Sequence, residues 1–490
     1  MLVRSAVLVA VVAGVGCSFS GGGGAATQDG GGGGGGGGGH DAAIDSPRGG
    51  GGHDAAPIDG GTRDSGPIDA PPPIDAPPPP IDAPPPPPSP VIVVDPDGAG
   101  SGATRFALGS ADPSGPFFTS LGTNGRACST CHDRTTGWTV TPAALEARFD
   151  ATSGTDPIFR PVDGATSPTD DVSTPAARRT AYAMLLTKGL IRVGLPIPAG
   201  AEFTLVAVDD PYGFASASQL SLFRRPLPST NLGDQAAIMW DTREPSLAQQ
   251  ATDATLGHAQ GTSADPATMT AIVQFESSLA TAQIFDAVAG DLTAAGATGG
   301  PAALAALPFH VGINDSLGRD PDGSAYDPSV FGEYAAWGNA AAIARGEVIF
   351  DTRTFAVTNV AGIADQPAAT CSFCHDTPGV GARSMNEPLG LGLDGSGHRT
   401  ADMPLYTLQR ISDGTTVTTT DPGLALVTGK WADIGRFKVP SLRGLAMRAP
   451  YFHNGLGTTL QSVVGFYNGR FGIGLTQQEQ QDLIAFLAAL

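Results

Sequence analysis

The sequence predicts a mainly α-helical protein of two similar domains with long loops, preceded by a disordered tether rich in glycine and proline. Repetition is the first reason, because the pentapeptide CSTCH (128–132) returns as CSFCH (371–375). Composition is the second: residues 21–66 are dominated by glycine, and from Pro67 the motif IDAPPP occurs three times. Such a stretch has too few apolar side chains to offset the entropy of ordering. Turn residues are also frequent later in the chain, which favours helices joined by long loops.

The first residues have the form of an export signal. Arg4 precedes an apolar run from Ala6 to Val15 that is too short to span a bilayer comfortably. Cys17 then follows small residues, as the acylated cysteine of bacterial lipoproteins does. We expect a lipoprotein-type signal peptide over 1–17 and the disordered linker over 18–100, with an ordinary cleaved signal peptide as the alternative. Both interpretations export the protein, to the periplasm or to the outer membrane through a lipid anchor at Cys17.

Four of the five cysteines form two CxxC pairs, and a histidine directly follows each pair. Covalent attachment of a c-type haem needs two thiols at this spacing, and the adjacent histidine can then bind the iron. A redox CxxC or half a zinc site are alternatives, but neither requires a histidine at the next position. The sequence therefore predicts two covalently bound haem c groups. Their attachment residues are Cys128, Cys131 and His132 in the first copy and Cys371, Cys374 and His375 in the second, with both histidines as metal ligands.

Helical patterns near the second copy predict the outline of a cytochrome c-like domain. EYAAWGNAAAIARGEVIF (333–350) has apolar residues at helical spacing. At the C-terminus, a Thr476-x-x-Glu479 capping box precedes apolar residues at i, i+3, i+4 and i+7 from Leu483. We expect two cytochrome c-like domains, over 101–335 and 336–490.

The order of motifs after residue 105 resembles the bacterial di-haem cytochrome c peroxidases and their relative MauG, which oxidises tryptophan on a partner protein. Between and after the two CxxCH copies, the matching stretches are MWDTREPSLAQQA (239–251), FKVPSLRGLAMRAPYFHNG (437–455) and TLQSVVGFY (459–467). The resemblance implies that the first haem reacts with peroxide and that the second passes electrons to it. It also implies a tryptophan between the two haems.

Several residues around the haems are assigned by this resemblance. Trp240 takes the place of the tryptophan between the haems, and a buried core tryptophan beside Asp241 is the alternative. Arg443 would face a haem propionate, for which a guanidinium fork is well suited. Tyr451 and His453 match a motif that borders the second haem, although His453 could equally be a structural hydrogen-bonding residue.

Tyr467 is the predicted second axial ligand of the second haem. The peroxidases have methionine at the matching position, whereas MauG has tyrosine. A thioether ligand raises a haem potential, while an oxygen ligand favours ferric and higher states. Tyr467 therefore implies a lower-potential second haem, and Met447 is the alternative ligand.

The first haem shows the clearest departure from the family. Gln260 stands at the position of a glutamate that helps to break the peroxide O–O bond, and an amide cannot accept and return a proton. His258 can, so we predict it as the distal base, with an iron ligand or a structural histidine as alternatives. The family also holds calcium between its haems, but RRPLPSTNL (224–232) offers no clear equivalent of an asparagine found there. We therefore assign no calcium ligands.

These assignments predict a di-haem peroxidase-like oxidoreductase that reduces hydrogen peroxide or uses it to oxidise a partner. The expected partner is a small electron-donor protein or an oxidisable protein. A net charge of −20 at pH 7 favours a basic donor and argues against nucleic acid. The alternative is a non-catalytic di-haem electron-transfer cytochrome with both irons six-coordinate.

Overall fold

The computed structural model describes residues 88–490 except 112, 236, 309–322, 328–331 and 382–386. The predicted signal peptide and the predicted linker up to residue 87 lie outside the described residues. All described residues belong to one compact unit, so the division into 101–335 and 336–490 remains a prediction from the sequence. No helix in the described ranges combines the length and the apolar character needed to cross a membrane.

Ten α-helices occur in the described residues, and the longest have 12 residues. In chain order they are α1 Pro142–Thr152, α2 Pro175–Ala181, α3 Ala183–Lys188, α4 Leu247–Gly257, α5 Pro266–Ser277, α6 Gly300–Ala306, α7 Ala342–Thr352, α8 Ala425–Thr428, α9 Leu460–Phe471 and α10 Gln477–Ala488. Short 3-10 turns connect several of them.

Eleven strands in the same part of the chain form four antiparallel sheets. In chain order they are β1 Val91–Pro96, β2 Gly100–Phe106, β3 Ile191–Leu195, β4 Phe203–Asp209, β5 Leu220–Arg224, β6 Leu279–Asp286, β7 Gly290–Asp291, β8 Phe355–Val357, β9 Gln366–Ala369, β10 Leu405–Arg410 and β11 Thr416–Thr419. The strand orders are β1-β2-β6-β7, β11-β10-β4, β3-β5 and β8-β9.

The prediction of a mainly α-helical fold is wrong, because the structure is 32% helical and 19% strand. Among the missed strands, β2 pairs with β6 and β4 pairs with β10 over long distances in the sequence, and no hairpin turn marks these pairs. β1–β2 and β10–β11 are joined by short turns that contain Asp-Gly, a hairpin signal that the prediction did not use. β1, with the sequence VIVVDP, even lies within the stretch predicted as linker. Its β-branched residues favour a strand, and its buried Asp95 forms an ion pair with the partly exposed Arg134.

The C-terminal helix matches its prediction. Thr476 Oγ1 accepts a hydrogen bond from the Glu479 N–H, and Glu479 Oε2 accepts one from the Thr476 N–H, which completes the predicted capping box. α10 packs against α7 at Gly346, where a Cβ atom would lie 2.0 Å from the carbonyl oxygen of Asp482. Only glycine permits this approach. The helix predicted over 333–350 begins later, as α7 at Ala342, after 3-10 turns that are interrupted at Gly338.

Each CxxCH pentapeptide begins with the same 3-10 turn, at Cys128–Thr130 and at Cys371–Phe373. In both copies the histidine N–H donates to the carbonyl oxygen of the first cysteine, at 3.0 Å in the first and 3.1 Å in the second. The local sequence therefore folds identically at the two sites, and any difference between them comes from the surrounding elements.

Candidate haem sites

Two cavities, each with one CxxCH in its wall, share a set of lining residues. Cys128, Cys131 and His132 line the first cavity, and Cys371, Cys374 and His375 line the second. Among the described residues, those that line both cavities are Arg225, Pro226, Leu227, Pro228, Trp240, Lys438 and Ser441. We call these seven residues the partition.

The two predicted iron ligands are oriented in the same way. His132 Nδ1 lies 3.0 Å from the carbonyl oxygen of Trp138, and His375 Nδ1 lies 3.2 Å from that of Val380. An imidazole that donates its Nδ1–H to a carbonyl is fixed in one tautomer, with the lone pair on Nε2. Both histidines are therefore prepared to bind a metal through Nε2.

The four cysteines of the two CxxCH motifs form no disulfide bond. Burial raises the pKa of Cys128, Cys371 and Cys374 to about 12, and burial raises the pKa of Cys131 as well. A redox-active CxxC needs a thiol with a lowered pKa, so these pairs lack the electrostatics of a disulfide oxidoreductase. Two thiols beside an oriented imidazole, in a cavity with mostly apolar walls, fit one covalently attached haem c at each site.

Trp240 lies in the partition, the location predicted for the residue between the haems. Its indole N–H donates to the Arg225 carbonyl oxygen at 2.8 Å, and its own carbonyl oxygen accepts from the Lys438 N–H at 2.9 Å. It is the only aromatic residue among the described ones that lines both cavities. Its side chain is also buried, next to the fully buried Asp241, so it contributes to the core at the same time.

His258 lies in the wall of the first cavity and is held by a buried ion pair. Its Nδ1 donates to Asp163 at 2.5 Å, and the second carboxylate oxygen of Asp163 binds Arg126 at 2.5 Å. Burial opposes ionisation, but the Arg126 charge and the His258 hydrogen bond lower the pKa of Asp163 to about 2. The ionised carboxylate thus fixes the imidazole with Nε2 as the proton acceptor. The sequence analysis missed Asp163 and Arg126, since no motif connects residues so far apart in the chain.

Gln260 lies outside the lining of the first cavity. It is exposed, and its carbonyl oxygen accepts hydrogen bonds from the backbone and side chain of Thr123. Of the two candidate catalytic residues His258 and Gln260, therefore, only His258 lies in the wall of the cavity.

Glu276 is a second candidate acid–base group that the sequence analysis missed. It lies on α5, lines the first cavity and is 5% exposed, and its Oε2 has no hydrogen-bond partner in the described structure. Burial raises the pKa of Glu276 to about 8, so the carboxyl holds a proton at neutral pH. Its spacing from Met269 and Ile272, at i, i+3 and i+7, marks the buried face of α5. That spacing is the sequence signal that could have identified it.

Tyr467 lies on α9 and lines the second cavity together with His375. Burial raises the pKa of Tyr467, and the nearby thiols of Cys374 and Cys371 add to the effect. The described residues provide no hydrogen-bond partner for its hydroxyl group. Met447 lines neither cavity, because its sulfur packs against Gly102, where a Cβ atom would lie 2.2 Å from Sδ. Of the two candidate ligands, Tyr467 therefore lies in the wall of the second cavity and Met447 does not.

The APYFHNG motif also reaches the second cavity. His453 is 2% exposed, its ring stacks on Phe437 with a centroid distance of 3.9 Å, and its Nε2 has no partner in the described structure. Burial lowers the pKa of His453 to about 4, so the ring is neutral. Tyr451 lines the same cavity and donates its hydroxyl hydrogen to the Leu445 carbonyl oxygen at 2.9 Å.

Arg443 lines the first cavity, but its guanidinium already has a carboxylate partner. It forms a buried, bidentate ion pair with Glu333, in which Nη1 lies 3.0 Å from Oε2. Its Nε donates to the Pro378 carbonyl oxygen at 3.0 Å. Few donors of Arg443 therefore remain for a propionate. As for metals, no group of three or more His, Cys, Asp or Glu side chains in the described ranges could hold an ion, and calcium ligands stay unassigned.

Comparison with known proteins finds similarity to peroxidases over part of the chain. No protein-family model matches the chain. The chain is 38% identical over 143 residues to the cytochrome-c peroxidase IdrP1 of Pseudomonas sp. (strain SCT), which covers 25% of this chain and 36% of that protein. It is 36% identical over 122 residues to the cytochrome c peroxidase Ccp of Escherichia coli (strain K12), covering 24% of this chain and 22% of the relative.

A third relative is the methylamine utilization protein MauG of Paracoccus denitrificans (strain Pd 1222), 57% identical over 37 residues, or 8% of this chain and 10% of that protein. The chain thus matches about a third or less of the length of these curated relatives. The predicted resemblance of this chain to the bacterial di-haem cytochrome c peroxidases and MauG is confirmed over those matched lengths.

Proposed function

We propose that this protein is a di-haem peroxidase-like oxidoreductase, in which the first site reduces hydrogen peroxide and the second supplies the electrons. The observation that carries the proposal is the pair of cavities, each with a CxxCH and an oriented histidine, that share Trp240 in their partition. Haem iron bound by a single histidine supplies the centre at which hydrogen peroxide, two electrons and two protons become two molecules of water. The remaining tasks belong to the side chains of the chain itself.

At the first site, His258 accepts a proton from one peroxide oxygen and returns it to the other. Asp163 keeps the imidazole in the tautomer that can do this, and Arg126 keeps Asp163 ionised. Glu276, protonated at neutral pH, is a reserve proton donor in the same cavity. General acid–base catalysis of this kind contributes roughly 10²–10⁴-fold to a rate.

At the second site, His375 and Tyr467, which line the same cavity, would both hold the haem iron. An iron with two protein ligands exchanges electrons without offering a position to peroxide. Trp240, the only aromatic residue among the described ones that lines both cavities, would pass electrons between the two sites. In this proposal hydrogen peroxide can bind at the first site, whereas the second site only transfers electrons.

A non-catalytic electron carrier is the second candidate, because His258 also has a free Nε2 and could itself bind iron. The electron paramagnetic resonance spectrum of the resting ferric protein separates the two functions. A high-spin signal from one haem and a low-spin signal from the other support the enzyme. Two low-spin signals, together with no turnover of hydrogen peroxide, would establish the carrier.

We also propose that the protein is exported and anchored by lipid at Cys17, and that it exchanges electrons with a partner protein. The N-terminal pattern of a basic residue, an apolar run and small residues before Cys17 supports the anchor. A Cys17→Ser variant should move from the membrane fraction to the soluble periplasmic fraction. Equal membrane association of both forms would contradict the anchor without affecting the proposed chemistry.

A further inference from the structure

Cationic side chains line both cavities, and most of them have an acidic partner. Those pairs are Arg126 with Asp163, Arg224 with Asp241 and Asp421, Arg243 with Asp241 and Glu244, and Arg443 with Glu333. The two cations of the partition, Arg225 and Lys438, differ from these. Neither has a carboxylate partner in the described structure, and each lines both cavities.

The hydrogen-bond acceptors of the Arg225 guanidinium are all backbone carbonyl oxygens. Its Nη2 donates to Val140 at 2.7 Å and to Arg448 at 3.0 Å, and its Nη1 donates to two further carbonyl oxygens at 3.3 and 3.4 Å. The residue is 5% exposed. Burial, and then repulsion from Arg448, lower the pKa of Arg225 to about 9. The guanidinium is thus charged at neutral pH, buried and without a counter-ion.

Lys438 has the same character. Its Nζ donates to Gln235 Oε1 at 2.6 Å and to the Ala237 carbonyl oxygen at 2.8 Å, which leaves one of three ammonium hydrogens without a partner. The residue is 6% exposed, and burial lowers the pKa of Lys438 to about 7. An anion beside the ammonium group would restore the charged form.

Two hydrogen bonds join these cations to Trp240. The Trp240 indole donates to the Arg225 carbonyl oxygen, and the Lys438 N–H donates to the Trp240 carbonyl oxygen. The positive charges are therefore fixed to the one aromatic residue that both cavities share. A buried charge without a counter-ion is strongly unfavourable, so the arrangement favours the binding of anions beside the partition.

We propose that Lys438 binds a carboxylate group of a prosthetic group through its free ammonium hydrogen, that the charge of Arg225 compensates such carboxylates from the partition, and that these two side chains, without a metal ion, supply the positive charge between the two sites. This inference rests on the proposed function, since haem is the carboxylate-bearing group that each CxxCH would hold. It assigns to Arg225 and Lys438 the role that the sequence analysis gave to Arg443.

The test is a redox titration of both haems in the full-length holoprotein and in Lys438→Met, after the covalent haem content of each has been measured. Removing a positive charge stabilises the oxidised iron, so both midpoint potentials should fall in Lys438→Met. Lys438→Arg keeps the charge and should retain both potentials. The matched control is Arg448→Met. Arg448 is a cation that has no acidic partner in the described structure, and it lines only the second cavity. This substitution should lower only the second potential.

The outcomes separate this inference from the proposed function. A protein without two covalent haems would contradict the proposed function. A two-haem Lys438→Met variant with unchanged potentials, or with one potential changed, would contradict the cation pair. Two measurements on the unmodified protein also test it, whether or not the variants fold. The inference would be overturned if the protein contained a divalent metal whose removal by a chelator shifts the potentials. It would also be overturned if the potentials depended on the concentration of acetate or chloride, because a free anion would then occupy the site.

Discussion

The two cavities are built on the same pentapeptide but differ in their other polar groups. The first contains two carboxyl groups, Asp163 and Glu276, together with His258. The second contains no Asp or Glu among its described lining residues, and its polar groups include Tyr451, His453 and Tyr467. The first cavity can therefore accept and deliver protons, whereas the second offers a ligand and aromatic walls. The chemistry of a CxxCH site is thus decided by the elements packed around it and not by the motif itself.

The largest effect should come from removing the base of the first cavity. His258→Ala should slow the reaction of the ferric protein with hydrogen peroxide by roughly 10²–10⁴-fold, the usual contribution of a general acid–base group. Gln260→Ala is the matched control, because the side chain lies two residues away but outside the cavity lining. Stopped-flow absorbance in the Soret band gives both rates. Equal and small losses would show that neither residue is the base, and a variant that becomes newly high-spin would identify His258 as an iron ligand.

A smaller effect should follow when the residue that orients His258 is changed while His258 itself is kept. Asp163→Asn keeps a hydrogen-bond acceptor near His258 Nδ1 but removes the charge that fixes the imidazole. Partners of this kind typically contribute about 10- to 100-fold, so the rate should fall by that factor and its dependence on pH should shift. The matched control is Asp241→Asn, a buried aspartate with arginine partners that does not line the first cavity. Similar losses in both variants, with unchanged pH profiles, would indicate a purely structural role for Asp163.

Glu276 makes the stability of the first site depend on pH. Its pKa in the folded protein is about 8, above about 4.3 for an unfolded glutamate. The contribution of such a group to stability is complete below pH 4.3 and is lost as the pH rises through 8. Glu276→Gln should remove this loss. Its stability advantage over the unmodified protein, measured as the free energy of unfolding, should therefore be about 3.5 kcal/mol larger at pH 8 than at pH 5. Denaturant unfolding at both pH values measures the difference.

The control for Glu276 is Glu146→Gln, because that side chain is 40% exposed and lies in an ion pair on the surface. It should show no comparable dependence on pH. If Glu276→Gln and the unmodified protein lose stability in parallel between pH 5 and pH 8, the carboxyl is ionised in the folded state and cannot be a proton donor at neutral pH.

The comparison also shows which parts of the molecule the sequence could reveal. The CxxCH residues, Trp240 and Tyr467 lie in contiguous motifs, and the structure places each of them at a cavity. Asp163, Arg225 and Lys438 act through contacts between distant segments, and neither their types nor their spacing mark them. The β2–β6 pair was missed for the same reason, since tertiary structure and not a turn brings these strands together. The Asp-Gly turns of β1–β2 and β10–β11, in contrast, are visible in the sequence. Local patterns predict local chemistry, while orientation and charge compensation arise only on folding.

Tyr467 allows the two cavities to be tested separately, and it should have the smallest effect on peroxide. Tyr467→Phe removes the oxygen that faces the second site but keeps the ring against Phe452, Phe466 and Phe471. The potential of the second haem should therefore change while that of the first stays fixed, and Tyr467→Met should raise the second potential if the thioether reaches the iron. The initial reaction with hydrogen peroxide should change less than threefold in either variant, because the base in the first cavity is intact. Redox titration combined with stopped-flow mixing distinguishes the sites. A change in the first potential alone would mean that the cavities have been assigned the wrong roles, and no change in either variant would remove Tyr467 from the ligand set.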